Sequence, residues 1–247
     1  MKIIVNGAGG RLGEEVIKEA KAAGYEVVAV DQRGQSAEEK TYARLFDYKG
    51  DADVIVDFSF HLATKELTEY AVQRKIPTVI ATTGQTDEEK AMIREAAKSI
   101  PVFFSANMSV GVALLTSLVK KAAAFLKEDD VEIIEYHHNR KADAPSGTAL
   151  MIASAIESAR GEMNRVVGRS GVRKREKGDL GISAVRIGNV VGKHEIMMSD
   201  GVETLTITHE AHDKALFARG AIKAAAFLLG KEPGLYTMQE LVEGELV

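Results

Sequence analysis

The chain has no cysteine, no tryptophan and only 4 prolines in 247 residues. Without cysteine there is no disulfide, no thiolate nucleophile, no cysteine-ligated zinc and no cysteine-held iron–sulfur cluster. Aromatic residues make up only 6%. No apolar run reaches the roughly 18 residues that would suggest a membrane span, so no membrane partner is expected. Neither sign of charge dominates. The 32 Lys and Arg against 36 Asp and Glu leave a net charge of −4, so no global positive field draws the chain to nucleic acid. The opening MKIIVNGAGG lacks the long apolar region and cleavage site of a signal peptide, and a cytoplasmic location is the expectation. What is present is 45% hydrophobic residues, usual for a soluble α/β protein. At about 150 residues per domain, the length fits between one and two domains.

The first half alternates strand and helix. Lys2 to Val5 reads as a buried strand, EEVIKEAKAAG as a helix stopped near Gly24, and Tyr25 to Val30 as a second strand closed by Asp31. Gln32 to Asp51 is polar and weakly patterned, with room for a short helix. DADVIVDFS is a third strand, HLATKELTEYAVQRK an amphipathic helix and IPTVIATTG a fourth strand. The next helix opens at Thr86, with Glu89 at the capping-box spacing, and IPVFFSANMS is a fifth strand. This rhythm, held to about residue 107, predicts a doubly wound parallel sheet. A long helix, VGVALLTSLVKKAAAFLK, then leads to the strand VEIIEYHHN and the helix GTALMIASAIESARGE. RVVGRSGVRKREKGDLG reads as a basic loop, and Ile182 to Ala211 as three successive strands, which favours hairpin or mixed pairing. A final apolar helix, KALFARGAIKAAAFLLG, precedes a short tail.

The turn GAGGRLG, Gly7 to Gly13, sits between a predicted strand and a predicted helix. Gly7, Ala8, Gly9, Gly10, Arg11 and Leu12 would bring backbone amides and a helix N-terminus to a pyrophosphate. The spacing is G-x-x-G-x-x-G, because Leu12 fills the last glycine position of G-x-G-x-x-G. A ligand-free βα turn uses such glycines too. Asp31, about twenty residues on, adds a carboxylate placed to accept ribose hydroxyls, and the pair predicts a dinucleotide site. The carboxylate favours NADH by repelling the 2′-phosphate of NADPH, and Arg33 offsets part of that repulsion. NADH is therefore the expected preferred cofactor, with NADPH permitted. Asp57-Phe58-Ser59 and Ala81-Thr82-Thr83-Gly84 end strands at the same sheet edge, where ligands of such folds bind.

The densest polar cluster is EYHHNRKADAPSGTA, Glu135 to Ala149. Two histidines and a lysine sit at a strand end, and Ser146-Gly147-Thr148 open an apolar helix as a nest for a carboxylate. Histidine can pass a proton near neutral pH and lysine can supply positive charge. The set suits an anionic substrate that undergoes hydride transfer with a proton step, without naming that substrate. Other features are read structurally. His209-Glu210-Ala211-His212 is one residue short of a zinc motif and follows a strand-like run, so no metal site is expected. His194 is placed between strands as a structural histidine. His61 begins a helix near the sheet edge with no assigned role. The basic run Arg169 to Lys177 lacks interleaved aromatics and reads as a solvated loop.

The sequence resembles a known family. GAGGRLG, the acidic residue ending strand two, DFS, the TTG turn, SANMSVGV and above all HHNRKADAPSGTA are similar to the bacterial dihydrodipicolinate reductases. The likeness continues through VRIGNVVGKHE and FARGAIKAA. The stretch between Asp31 and Asp53 is shorter than in the family. The resemblance implies reduction of 4-hydroxy-tetrahydrodipicolinate, after loss of water, to tetrahydrodipicolinate in lysine and diaminopimelate biosynthesis. It implies His137 as acid/base and Lys141 as catalytic lysine. It also implies that His138, Gly147 and Thr148, with Ser146 beside them, hold the substrate, a small dicarboxylate. Gly7 to Leu12, Asp31, Ala81, Thr82, Thr83 and Ser105, Ala106, Asn107 and Met108 match cofactor-binding segments. Ala81 stands where the family has Gly, and Gln32 where many relatives have Arg, which weakens the case for NADPH. The implied architecture is a Rossmann-like doubly wound domain, residues 1–107 plus 218–247, interrupted by an α+β domain on a mixed sheet, residues 108–217. The second domain would bind substrate and form a homotetramer. Another two-domain NAD-dependent amino-acid dehydrogenase is disfavoured by the His-His…Lys…PSGTA cluster. An NAD(H)-sensing regulator is disfavoured because no DNA-binding helix pair is found.

Overall fold

A computed structural model describes residues 1–33 and 41–245. The chain divides into two compact units, residues 1–110 with 214–247, and residues 111–213.

In the first unit the apolar runs form parallel strands: β1 (Lys2–Asn6), β2 (Glu26–Val30), β3 (Thr41–Tyr42), β4 (Val54–Asp57), β5 (Thr78–Ile80) and β6 (Pro101–Phe104). Ile3, Ile4, Val5, Val54, Ile55 and Val56 are fully buried, as expected for strands covered on both faces. Helix α1 (Arg11–Ala22) buries Val16, Ile17 and Ala20. Helices α2 (Thr64–Arg74) and α3 (Asp87–Ala96) pack together, placing Leu67, Tyr70 and Ile93 against Ile4, Ile55 and Ile80. Each such buried side chain contributes about 1.5–3 kcal/mol relative to leaving it in water. Thr86 caps α3 with the expected reciprocal bonds to Glu89, at 3.2 and 2.7 Å.

Part of the polar stretch where the sequence left room for a short helix lies outside the described residues, at 34–40. From Thr41 onward it forms the edge strand β3 and a 3₁₀ turn, Leu45–Asp47, which buries Leu45. The expected short tail does more than end the chain. After α6 (Ala215–Leu228), residues Gly234–Tyr236 form β12, paired parallel with β6, and Met238–Glu245 form α7. A three-residue edge strand carries too little periodicity to be read locally. The sheet order is β12-β6-β5-β4-β1-β2-β3. Strand order reverses between β1 and β4, so a crevice opens at their carboxyl ends.

The second unit contains α4 (Val110–Phe125, which begins at the unit boundary), β7 (Asp130–His137), α5 (Gly147–Arg160), β8 (Asn164–Val167), β9 (Asp179–Arg186), β10 (Gly192–Ser199) and β11 (Thr204–Ala211). Their order is β11-β10-β7-β9-β8. The β10–β11 and β10–β7 pairs are antiparallel, while β7–β9 and β8–β9 are parallel, so the sheet is mixed. Helices α4 and α5 cover one face, where Leu115, Val119, Ile152 and Ile156 meet Val131, Ile133, Ile182 and Ile196.

One reading of the basic segment is corrected, and the solvated loop expected from Arg169 to Lys177 is present, exposed except at half-buried Arg175. Residues 164–167 join the sheet as β8, where β-branched Val166 and Val167 suit a strand. The run that follows is anchored by ion pairs. Arg169 and Arg173 reach the buried Asp179 at 3.0 and 3.5 Å, and Arg175 reaches Asp130 at 2.8 Å. The Arg169 guanidinium, with Asn164 and the Glu176 amide, holds the Asp179 carboxyl well below the usual range.

Candidate functional site

In the first unit, Gly7 leaves β1 with φ +85°, and its amide donates to the Val30 carbonyl at 2.9 Å. A Cβ on Gly7 would lie 2.7 Å from the backbone of Phe58 and Ser59, and one on Gly13 would lie 2.1 Å from the Gly7 carbonyl oxygen. The glycines thus permit close approach of the β1 and β4 ends and of α1 to its own loop. No side chain caps α1 at Gly10, so its first-turn N–H groups are available to an anion. Asp31 lies at the end of β2 and is buried. Its carboxylate accepts from the amides of Gly9 at 3.0 Å and Arg33 at 2.8 Å, which ties the β2 end to the glycine loop.

Two clefts open at this edge, of about 330 and 320 Å³, and share Phe58, Ser59 and Phe60. Gly7, Gly10 and Asp31 line the first, while Leu12, Ala81, Thr82, Thr83, Ala106 and Met108 line the second. Ser105 accompanies them, its hydroxyl donating to the Asn107 carbonyl at 2.8 Å. Ala8 is fully buried beneath the loop, and Arg11 is exposed. Asp57 organises the floor. Its buried carboxyl accepts from Asn6 at 2.7 Å, Ser59 at 2.6 Å and Thr82 at 2.6 Å, joining three strand ends. Burial pushes this carboxyl up, against the pull of those bonds. His61 also lines the second cleft, with Nδ1 3.0 Å from Glu89.

The second unit gathers the His-His-Lys segment. Along β7 the alternation buries Val131, Ile133, Glu135 and His137 on the helix-covered side. Glu135 is fully buried beneath the site. It accepts from His137 Nδ1, from both Arg186 Nη atoms at 2.9 and 2.7 Å, and from the Ser146 amide at 3.1 Å. Burial alone would raise its carboxyl; the Arg186 and His137 bonds outweigh it and hold the group below the ordinary glutamate range. Ser146 caps α5 by accepting the Ala149 amide at 3.1 Å, and its hydroxyl also meets His194 Nε2 at 3.2 Å. Gly147 and Thr148 follow as the first residues of α5. Lys141 lies on the intervening loop, 2.8 Å from Asp143, and His138 is half-buried at the end of β7.

His194 belongs to strand β10, a correction to its placement between strands. Its ring packs edge-on to His137, with centroids 5.3 Å apart. Burial and the neighbouring His137 push it down to about 4, so it is neutral at pH 7. The unfolded chain takes up a proton there below about pH 6.5, while the folded chain does so only near pH 4. This group therefore costs about 3 kcal/mol of stability as pH falls across that window. Urea unfolding between about pH 7 and 4 is expected to show that loss in the wild type and a shallower slope in His194→Gln. Parallel slopes would contradict the assignment.

Arg186 goes unnoticed in the sequence and Glu135, which opens the named cluster, has no role assigned there, while His194 is the buried structural histidine expected. The available signal was an acidic residue at an inward position of a strand that otherwise alternates apolar, which demands a buried partner. His209 lies in β11, so the two histidines of the rejected zinc motif do not share a helical face. Among the described residues, no helix is long and apolar enough to cross a membrane.

Comparison with known proteins follows the same division. Residues 1–108 match the family model described as dihydrodipicolinate reductase, N-terminus, and residues 111–242 match its C-terminus. A 4-hydroxy-tetrahydrodipicolinate reductase of Caldanaerobacter subterraneus subsp. tengcongensis is 47% identical, with 98% of each chain covered. One of Clostridium novyi is 38% identical, with 99% of each covered. Among solved structures, the dipicolinate-bound dihydrodipicolinate reductase of Paenisporosarcina sp. TG-14 has the same fold, with a TM-score of 0.83 at 23% identity, covering 96% of this chain and 97% of that one. With both halves matched and full-length relatives well above the level at which families are shared, the chain belongs to the dihydrodipicolinate reductase family.

Proposed function

We propose that this chain reduces 4-hydroxy-tetrahydrodipicolinate, by way of dihydrodipicolinate, to tetrahydrodipicolinate, using NADH in preference to NADPH. The observation that carries the reading is the buried Glu135 linking His137 to the amide that opens α5, with Lys141 on the loop between them. A proton-transfer group and a carboxylate-binding nest are thereby held by one anchor.

When bound, a reduced nicotinamide supplies a hydride from its C4 to the substrate ring C4. His137 donates the proton that completes the addition at the neighbouring ring carbon, so one hydride and one proton saturate the double bond. Lys141 supplies positive charge to the dicarboxylate, and Ser146, Gly147, Thr148 and His138 hold its carboxylates. Gly7 to Leu12 bind the pyrophosphate, Asp31 the ribose, and Ala81 to Thr83 with Ser105 to Met108 the nicotinamide side. The start of α1 at Gly10, where no side chain takes the first-turn amides, supports this assignment. Residues 1–107 with 218–247 form the nucleotide domain, and 108–217 the substrate and oligomerisation domain. The sheet face carrying Ile134, Tyr136, Met197 and Thr206, opposite α4 and α5, would build a homotetramer. The setting is cytoplasmic lysine and diaminopimelate biosynthesis.

Mixing the protein with dihydrodipicolinate synthase and its substrates should produce loss of NADH absorbance that depends on both enzymes. No oxidation with freshly generated substrate would remove the reading. The cofactor preference follows from Asp31, Gln32 and Arg33. kcat/KM with NADPH should not exceed that with NADH, and a tenfold advantage for NADPH would overturn the preference.

A further inference from the structure

The proton donor named above has two ring nitrogens, and only one can face the substrate. Glu135 decides which. Its carboxyl is held ionised by the two-pronged contact with Arg186, and an ionised carboxylate only accepts. The hydrogen shared with His137 Nδ1 must therefore belong to the ring. In the neutral imidazole this leaves Nε2 as the nitrogen that gains and loses a proton. On that side β10 presents Gly192, where an added Cβ would stand only 3.1 Å from Nε2. A carboxylate thus occupies one nitrogen and a missing side chain leaves room at the other. The remaining groups that face the ring are neutral His194, packed edge-on from β10, and the Arg186 guanidinium from β9. Lys141 and Asp143 are paired with each other on the loop after β7. The same Glu135 carboxylate accepts the Ser146 amide, so the ring and the start of α5 share one support.

We propose that Glu135 is a positioning residue that fixes His137 as the Nδ1–H tautomer, presents Nε2 on the Gly192 side for proton transfer, and holds the α5 N-terminus in register with that ring. Arg186 acts through Glu135 by keeping the carboxylate ionised and oriented. The proposal rests on the reductase reading for the purpose of the proton, but not for the state of the ring.

The test has a part that needs no turnover. Long-range ¹H–¹⁵N spectra of the histidine rings in the full-length protein, recorded where His137 is neutral, should show Nδ1 protonated and Nε2 bare. An Nε2–H tautomer in the wild type overturns the proposal whatever the variants do. In Glu135→Gln the tautomer bias should be lost and kcat should fall tenfold or more, while the Kd for dipicolinate changes less than threefold. In Gly192→Ala the Nδ1–H tautomer should persist while kcat falls, because only the Nε2 side is crowded. If Glu135→Gln keeps both the tautomer and kcat, or if kcat and dipicolinate affinity fall by the same factor, Glu135 is scaffold and the proposal fails. Failure of the reductase reading is separately visible, as a wild type with the expected ring state and no substrate-dependent NADH oxidation.

Discussion

His137→Gln is expected to lower kcat by about 100-fold or more, the lower end of what a positioned general acid contributes. Glutamine keeps a polar side chain of similar reach but cannot cycle a proton. The surrounding frame does not depend on the ring. Glu135 retains both Arg186 contacts and the Ser146 amide, and Ser146 retains its cap on Ala149. The loss should therefore fall on kcat while KM stays nearly constant, the pattern of an interaction used mainly in the transition state. Lys141→Ala should lower kcat by at least as much and raise KM as well, since on the proposed role its charge also serves the ground-state dicarboxylate. Steady-state kinetics, resolving kcat from KM, separates the two. Near-normal turnover in both variants would remove the role assignment.

Gly7→Ala is expected to be the most damaging single-atom addition in the nucleotide crevice. At φ +85° an alanine pays about 1–2 kcal/mol for the left-handed backbone. Its Cβ would also press within 2.7 Å of the Phe58 carbonyl and the Ser59 amide. These are backbone atoms of the neighbouring strand end and cannot swing aside, so crowding adds about 1–3 kcal/mol. Relief requires β1 and β4 to separate at the edge where Asn6, Ser59 and Thr82 converge on Asp57. NADH affinity, read by fluorescence titration, should fall at least tenfold. Gly24→Ala is the control. It has φ +78° but nothing within 4 Å of an added Cβ, so it should lose the strain alone and bind NADH normally. Equal effects of the two substitutions on NADH binding would contradict the close-approach argument.

What could be read from the chain was local. The glycine loop between β1 and α1 and the Thr86–Glu89 cap each depend on residues near in sequence, and they lie where the spacing put them. The His-His-Lys segment was visible for the same reason. The elements that escaped are short or depend on distant pairing. β8 and β12 have four and three residues, too few for a period, and exist because β9 and β6 offer an edge. Arg186 is 51 residues from Glu135, and His194 is 48 from Ser146. Only the mixed sheet brings them together. Parity along β7 marked Glu135 as buried, but nothing near it in sequence named the cation that would make its burial tolerable. The basic run was legible as a solvated loop, but not its acceptors, Asp179 and Asp130, which lie on strand ends outside it.

The proposed reaction is a hydride transfer to the ring carbon of a cyclic dicarboxylate, completed by a proton from His137. The test is turnover with NADH carrying deuterium in both positions at nicotinamide C4 and substrate freshly generated by dihydrodipicolinate synthase. Deuterium is expected at C4 of the tetrahydrodipicolinate product, with the companion hydrogen drawn from solvent and its delivery slowed in His137→Gln. Unlabelled product, or NADH left unconsumed, would contradict it.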